Sequence, residues 1–219
     1  NHITMLNEKL PVLKMAAIYG ANGAGKSNLL KGINFLKAIA LNKSFLDKDT
    51  FGKYIFALKE NTGTEPMELT IEFETKTGIP YIYSVEIMNT GIVSEILQIS
   101  GLGSEENHNV FTRKEGKIEY AVTPSEEVGN MVLGWIEKNP FSSLLTINND
   151  MPVLTDENIS IAQKWFEDEL TIIGLHSFNP ALIGIFKSNK EINLLRIYLR
   201  YLVLVLTELM SKQKILKIG

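Results

Sequence analysis

The feature that most narrows what this chain can fold into is the octapeptide Gly20-Ala21-Asn22-Gly23-Ala24-Gly25-Lys26-Ser27. It meets the Gly-x-x-x-x-Gly-Lys-Ser/Thr spacing of a phosphate-cradling loop. Upstream, Val12 to Tyr19 runs almost continuously apolar through Met15, Ala16, Ala17 and Ile18, which predicts a buried parallel strand. Downstream, Leu29, Leu30, Ile33, Leu36 and Ala40 recur at helical spacing and predict an amphipathic helix from Lys26 to about Leu41. Each fixed position of the octapeptide has a mechanical reason. Glycines let the backbone curl until successive N–H groups point at phosphate oxygens, and the helix that follows adds the positive end of its dipole. Lys26 supplies a point charge to the β- and γ-phosphates, and the Ser27 hydroxyl is a Mg²⁺ ligand. At average glycine usage of about 7%, the pattern arises by chance in about one such chain in a hundred. A plain glycine turn needs neither lysine nor serine in register.

Beyond the helix the period changes. Residues 42 to 66 are mixed and predict irregular connections around a short element near Tyr54 to Leu58. Met67, Leu69, Ile71 and Phe73 then alternate with Glu68, Thr70, Glu72 and Glu74, the two-residue repeat of a sheet with one wet face. Gly78 and Pro80 mark a turn, and Tyr81, Tyr83, Val85 and Ile87 repeat the alternation. Further strands are expected at Val93 to Ile99, Val110 to Arg113 and Lys117 to Val122, completing an antiparallel meander. In Thr123-Pro124-Ser125-Glu126, Thr123 reads as a helix N-cap with Glu126 closing a capping box. The core face of that helix is Val128, Met131, Val132, Trp135 and Ile136. Another helix is expected from Asp156 to Leu170, a short strand from Thr171 to Leu175, and a final helix from Ser188. The all-round apolar stretch Leu199 to Leu206 suits an exposed helix poorly and is expected to meet another part of the protein.

Composition excludes several classes. With no cysteine there is no disulfide framework, thiolate metal site or cysteine nucleophile, which points to a reducing, cytoplasmic setting. The longest purely apolar run, Leu202 to Leu206, is far short of the roughly 20 residues that span a bilayer, so no membrane partner is expected. A net charge of -3 argues against a surface that is wholly a nucleic-acid footprint, while leaving room for a local basic patch.

The stretch Tyr19-Gly20-Ala21-Asn22-Gly23-Ala24-Gly25-Lys26-Ser27-Asn28-Leu29-Leu30 resembles the Walker A segment of ABC-type ATPases of the SMC, RecF and OLD branch. It is most similar to the bacterial AAA-type ATP-binding proteins of abortive infection and phage defence. The Asn-Gly pair inside the loop and the Asn after Ser27 are the telling details. The resemblance implies an α/β P-loop NTPase fold: the N-terminal lobe of an ABC-ATPase head, an inserted antiparallel β-meander and a helical C-terminal part. In those terms residues 1–41 carry the P-loop strand and helix, 67–122 the β subdomain and 123–219 the mainly helical part of one incomplete domain. It further implies ATP and Mg²⁺ as cofactors, held by Gly20, Ala21, Asn22, Gly23, Ala24, Gly25, Lys26, Ser27 and Asn28, with Lys26 catalytic and Ser27 on the metal. Such proteins dimerise with ATP sandwiched between two heads, and an effector protein and nucleic acid stay open as further partners.

Hydrolysis in that branch needs a Walker B strand ending in Asp-Glu and a signature motif. Ile99-Ser100-Gly101-Leu102-Gly103 is a faint echo of a signature and reads as a strand end and turn. Val153-Leu154-Thr155-Asp156-Glu157 has the acidic pair, but Pro152 and Thr155 spoil a buried strand and Asp156 suits a helix N-cap better. Asp168-Glu169 reads as solvated surface. With Asn1 rather than Met at the start and no Walker B legible, the chain is expected to be the first part of a longer head. Two rivals follow. A non-hydrolysing ATP-dependent clamp or scaffold needs no catalytic carboxylate. A small GTPase is disfavoured, because Asp49-Thr50-Phe51-Gly52 lacks a preceding apolar strand and Asn42-Lys43-Ser44-Phe45 lacks the guanine-reading Asp. Gln98, Gln163 and Gln213 are the glutamines from which a water-sensing residue would be drawn. His2, His108 and His176 show no ligand spacing, Trp135, Trp165 and Phe166 read as core, and Arg113 is a minor candidate for reaching phosphate.

Overall fold

The computed structural model describes residues 3–6, 10–13, 18–19, 25–41, 65–172, 202–203, 205–206 and 216–217. Strands β1 (Ile3–Leu6) and β2 (Leu10–Leu13) pair antiparallel, with Ile3 opposite Leu13 and Leu6 opposite Leu10. The buried parallel strand expected over Val12 to Tyr19 is corrected at Val12 and Leu13, which lie in this antiparallel pair, and at Ile18 and Tyr19, while residues 14–17 lie outside the described residues. β2 ends at Leu13, and Ile18 and Tyr19 are non-strand and exposed, Tyr19 at 91%. A parallel strand needs parallel neighbours, and among the described residues β2 has only the antiparallel β1. Pro11, which cannot donate to a ladder, suits such a two-stranded edge.

Helix α1 (Lys26–Leu41) has the predicted bounds. Its inward face is Ile33, Phe35, Leu36, Ile39 and Ala40, whereas Leu30, expected inside, is 48% exposed. The face lies on the sheet formed by β3 (Met67–Glu74), β4 (Pro80–Met88), β5 (Gly91–Ile99), β6 (His108–Lys114) and β7 (Lys117–Tyr120). These five follow one another as an antiparallel meander, β3 starting and ending where the sequence alternation does. The β6–β7 turn places Glu115 and Gly116 at φ +51° and +75°, the pair of left-handed residues that a tight hairpin demands. At the start of β5, Gly91 has φ +134°, and a Cβ there would stand 2.6 Å from Pro140 O; the Ile92 N–H donates to that same oxygen at 2.9 Å. Only glycine admits this approach.

Helix α2 (Glu126–Lys138) is capped by Ser125, whose side chain accepts from the Val128 N–H, and not by Thr123 as the sequence suggested. Pro124 holds the residue before it extended, so the cap falls two residues later. Val132 is buried and Val128, Trp135 and Ile136 are half-buried, but Met131 is 41% exposed. Helix α3 (Leu144–Asp150) was not legible in the sequence, and α4 (Glu157–Lys164) starts one residue after its N-cap Asp156. A π-helical turn, Trp165–Glu169, continues α4 and is closed by the Leu170 N–H to Trp165 O bond at 2.9 Å. It turns both Trp165 and Phe166 onto the sheet: Trp165 stacks on Phe73 at 4.0 Å, and Phe166 meets Tyr83 edge-on at 5.5 Å.

The helical reading of the C-terminal run is corrected where the structure describes it. β8 (Leu202–Val203) extends the sheet beside β3, opposite Phe73 and Glu72, and β9 (Val205–Leu206) pairs antiparallel with β10 (Leu216–Lys217). Apolar residues at successive positions satisfy a strand buried on both faces as readily as a helix, and the free edge of β3 decides between them. The sheet order is β7-β6-β5-β4-β3-β8. The elements expected at Tyr54 to Leu58 and from Ser188 lie outside the described residues, as do Asp49 to Gly52 and Asn42 to Phe45. Among the described residues no helix is long and apolar enough to cross a membrane.

Asp156 shows how local chemistry locks this architecture. Its carboxylate accepts from the Asn158 N–H at 2.9 Å and Nδ2 at 2.8 Å, while the Tyr81 hydroxyl of β4 donates to Asn158 Oδ1 at 2.7 Å. Burial, and then the Asp156 charge, push the Tyr81 hydroxyl up to about 12. Asp156→Ala is expected to lower stability by about 1 kcal/mol, the usual worth of an N-cap. Urea unfolding checks this, and an unchanged midpoint would show that the cap contributes nothing.

Candidate functional site

The octapeptide meets the structure at the N-terminus of α1. Gly25 has φ +85° and its carbonyl accepts from the Asn28 N–H at 2.8 Å and the Leu29 N–H at 3.4 Å, so it stands as the last residue before the helix. A Cβ at Gly25 would meet nothing within 4 Å. The left-handed backbone, not lack of space, is what favours glycine here. Lys26 and Ser27 are then the first two helical residues, where backbone N–H groups have no intrahelical acceptor. No acidic residue occupies the first turn, so nothing in the helix's own sequence neutralises its positive end. Gly25, Asn28 and Leu30 are exposed, as are Ile18 and Tyr19 before the loop. Gly20, Ala21, Asn22, Gly23 and Ala24 lie outside the described residues, and of Lys26 and Ser27 the backbone is described. What the described part offers is an open helix N-terminus, a left-handed glycine and no competing carboxylate. That donor set fits an anionic group such as a phosphate.

The other end of α1 is the opposite in character. Ile39 and Ala40 are 2% and 0% exposed, and the Ile39 carbonyl lies 2.6 Å from Thr146 Oγ1 and 2.8 Å from Ser143 Oγ. Ser143 caps α3, and the next N–H, that of Leu144, donates to both carboxylate oxygens of Glu95 at 3.0 and 2.9 Å. Glu95 also accepts from the Tyr83 hydroxyl at 3.0 Å and faces Arg113 Nη1 at 3.5 Å. Arg113 donates to Ser142 O at 2.7 Å, with Ile92 O and Pro140 O at 3.4 and 3.5 Å from Nη2. Apart from Pro140 these residues are buried, Glu95 and Tyr83 completely. Burial pushes the Glu95 carboxyl above its ordinary range, opposed first by the Arg113 charge and then by the Leu144 N–H. Burial likewise lowers Arg113, and it holds Tyr83 well above the usual tyrosine value together with the Glu95 charge.

Arg113 as a phosphate contact is thereby corrected, because its donors serve the sheet and the loop before α3. The cluster was invisible in the sequence: Glu95 and Arg113 occupy inward positions of adjacent strands, opposite one another in register, where alternation predicts apolar residues. That break in alternation is the only signal they left.

The remaining sequence candidates are placed as follows. Ile99 to Gly103 is a strand end and turn, with Leu102 at φ +53° and Gly103 at φ +71°. Asp156 is the α4 N-cap and Glu157 is exposed, so this acidic pair lies on no strand. Asp168 is exposed as expected, whereas Glu169 accepts from the Lys76 N–H at 3.1 Å. Gln163 is buried and donates to Asn149 at 2.6 Å, Gln98 is half-buried on β5, and Gln213 lies outside the described residues. Trp165 and Phe166 are core, and Trp135 is half-buried. His108 is exposed, while His2 and His176 are not among the described residues. Among the described residues no group of three or more His, Asp or Glu side chains is placed to hold a metal ion.

Residues 15–150, more than half of the chain, match the family model described as "AAA domain, putative AbiEii toxin, Type IV TA system". None of the curated proteins and none of the solved structures compared matches the chain.

Proposed function

The chain belongs to this family of AAA domains, P-loop ATPases, and on that premise we propose that ATP binds at the N-terminus of α1 with its phosphates in the Gly20 to Ser27 loop. The single observation that carries the reading is Gly25. Its left-handed backbone and its carbonyl at the helix start put the last two residues of the pattern, Lys26 and Ser27, in the first turn of α1, where backbone N–H groups have no intrahelical acceptor. On this reading the backbone of Gly20, Ala21, Asn22, Gly23, Ala24 and Gly25 cradles the phosphates. Lys26 contacts the β- and γ-phosphates, the Ser27 hydroxyl ligates Mg²⁺, and Asn28 borders the site. A Mg²⁺ ion held by the Ser27 hydroxyl would supply positive charge against the terminal phosphates. The chain's own part is to hold the phosphates in line with fixed dipoles.

The family description names a toxin of a toxin–antitoxin system, which supports a bacterial defence role over DNA maintenance. Likeness of the loop to the SMC, RecF and OLD branch supports a homodimer of ATP-sandwiched heads acting on an effector protein. A second reading, a clamp that binds ATP without hydrolysing it, is favoured by one observation. The acidic pair that most resembles a Walker B ending, Asp156-Glu157, caps a helix and ends no strand.

Titration with ATP and Mg²⁺ tests the site. At a hundred times the dissociation constant, binding is expected to stabilise the fold by about 2.7 kcal/mol, read as a rise in Tm. A well-folded sample with no rise at millimolar ATP would overturn the assignment. ATP turnover that is lost in Lys26→Ala would count against the clamp.

A further inference from the structure

We infer that Thr146 and Ser143 are positioning residues for the nucleotide site, tying the far end of the P-loop helix to the sheet so that its N-terminus keeps the orientation phosphate binding requires. The inference rests on the reading of the α1 N-terminus as the phosphate site.

Ile39 O is one of the last four carbonyls of α1 and has no acceptor role left inside the helix. Two buried hydroxyls reach it, Thr146 Oγ1 at 2.6 Å and Ser143 Oγ at 2.8 Å. Ser143 Oγ also lies 3.1 Å from Thr146 Oγ1, and its one proton serves a single acceptor at a time, so Thr146 is the steadier donor to Ile39. These hydroxyls do not sit on a loose loop. The residue before them, Ser142, has its carbonyl on Arg113, and the Leu144 N–H just after Ser143 is on Glu95, so the start of α3 is fixed to β5 and β6 from both sides. The remaining contacts of α1 with the sheet are largely apolar, and apolar packing is non-directional. A hydrogen bond to one carbonyl is directional and fixes where along the sheet, and at what roll, the helix ends.

The two ends of α1 differ in a way that gives this tie leverage. The N-terminal turn is open, with Gly25, Asn28 and Leu30 exposed, while Ile39 and Ala40 are buried. From Lys26 to Ile39 the helix is roughly 20 Å long, so a swing of roughly 3° at the buried end moves the phosphate-binding end by roughly 1 Å. A shift of that size is enough to spoil a positioned contact. Loss of the tie lowers the fraction of molecules whose loop is in the competent orientation, and the apparent affinity falls by that fraction. By reciprocity, bound ATP must also favour the tied arrangement of α3.

The experiment combines nucleotide affinity with amide exchange on the whole chain. Ser143→Ala with Thr146→Val removes both hydroxyls that reach Ile39 O and is expected to weaken ATP binding by about fivefold. Ser143→Ala alone, which keeps the Thr146 hydroxyl, is expected to retain the unmodified affinity. In the unmodified protein, ATP is expected to slow exchange in Leu144–Asp150, and in the double variant that slowing is lost. Unchanged affinity in the double variant, or α3 exchange in the unmodified protein indifferent to bound ATP, would overturn the tie. The exchange measurement decides the matter even where the double variant fails to fold. Failure of the unmodified protein to bind ATP at all would remove the site and the tie together, whereas binding without coupling removes the tie alone.

Discussion

Lys26→Ala is expected to remove nearly all ATP affinity while leaving the folded protein intact. Truncating one partner of a close charge pair costs about 2–5 kcal/mol, which corresponds to a loss of about thirtyfold to several thousandfold in the dissociation constant. The reason for placing so much on one residue is its position. Lys26 follows the left-handed Gly25 directly and is the first residue of α1, so on the proposed reading its charge acts on the same phosphates as the helix N–H groups. Titration calorimetry on the two proteins checks the loss, with their ligand-free melting curves as the control for folding. Affinity that survives within a factor of about three would mean that the phosphates are held elsewhere, since even a modest charged contact is worth more than that. Turnover assayed in parallel separates the two readings of function. Hydrolysis that disappears with Lys26 would exclude the clamp, and binding without hydrolysis would support it.

The second large effect is on stability. Arg113→Met leaves Glu95 fully buried with its counter-charge gone and is expected to cost about 3–5 kcal/mol at pH 7 and above. The loss is pH-dependent with a definite sign. Burial already raises the Glu95 carboxyl above its ordinary value of 4.5, and removing the Arg113 charge raises it further. A group whose folded value lies above its unfolded one is least costly below the unfolded value, and stability is lost as pH climbs from there through the folded value. The variant is therefore expected to be nearest the parent below pH 4.5 and to fall away as the pH rises. Adding Glu95→Gln is expected to recover much of the loss, because glutamine can still accept from the Leu144 N–H without carrying charge. Urea unfolding across pH reads all three proteins. A single variant equally destabilised at every pH would mean that lost packing of the guanidinium, and not the stranded carboxylate, is responsible.

Both predictions concern the ends of one helix, and they differ in how readable they were. The N-terminal end was legible because a phosphate loop is a local device. Glycines that permit the curl, a lysine, a hydroxyl and the start of a helical period all fall within a dozen residues, and their chemistry does not depend on distant partners. The same holds for β3 to β7, where strict alternation over eight or nine residues fixes which side chains face inward. The C-terminal end was not legible. Leu144–Asp150 contains Thr146, Ile147, Asn148, Asn149 and Asp150, poor helix formers, and it is helical because Ser143 caps it and Glu95 of a distant strand receives its first N–H. Strand and helix also competed in the apolar run Leu199 to Leu206, where composition carries no period. There the available edge of β3 decided for strand at Leu202–Val203.

What the sequence determined by itself was therefore everything whose interactions close within a turn or a hairpin: the entry into α1 at Gly25, the extent of α1, the meander and the Asp156 cap. The tertiary structure alone decided the placement of Glu95 and Arg113 inside the core, the existence of α3 and the tying of Ile39 to Thr146. Those depend on hydrogen bonds between residues 18 to 107 positions apart in the chain, and such pairs leave no period for a sequence to show.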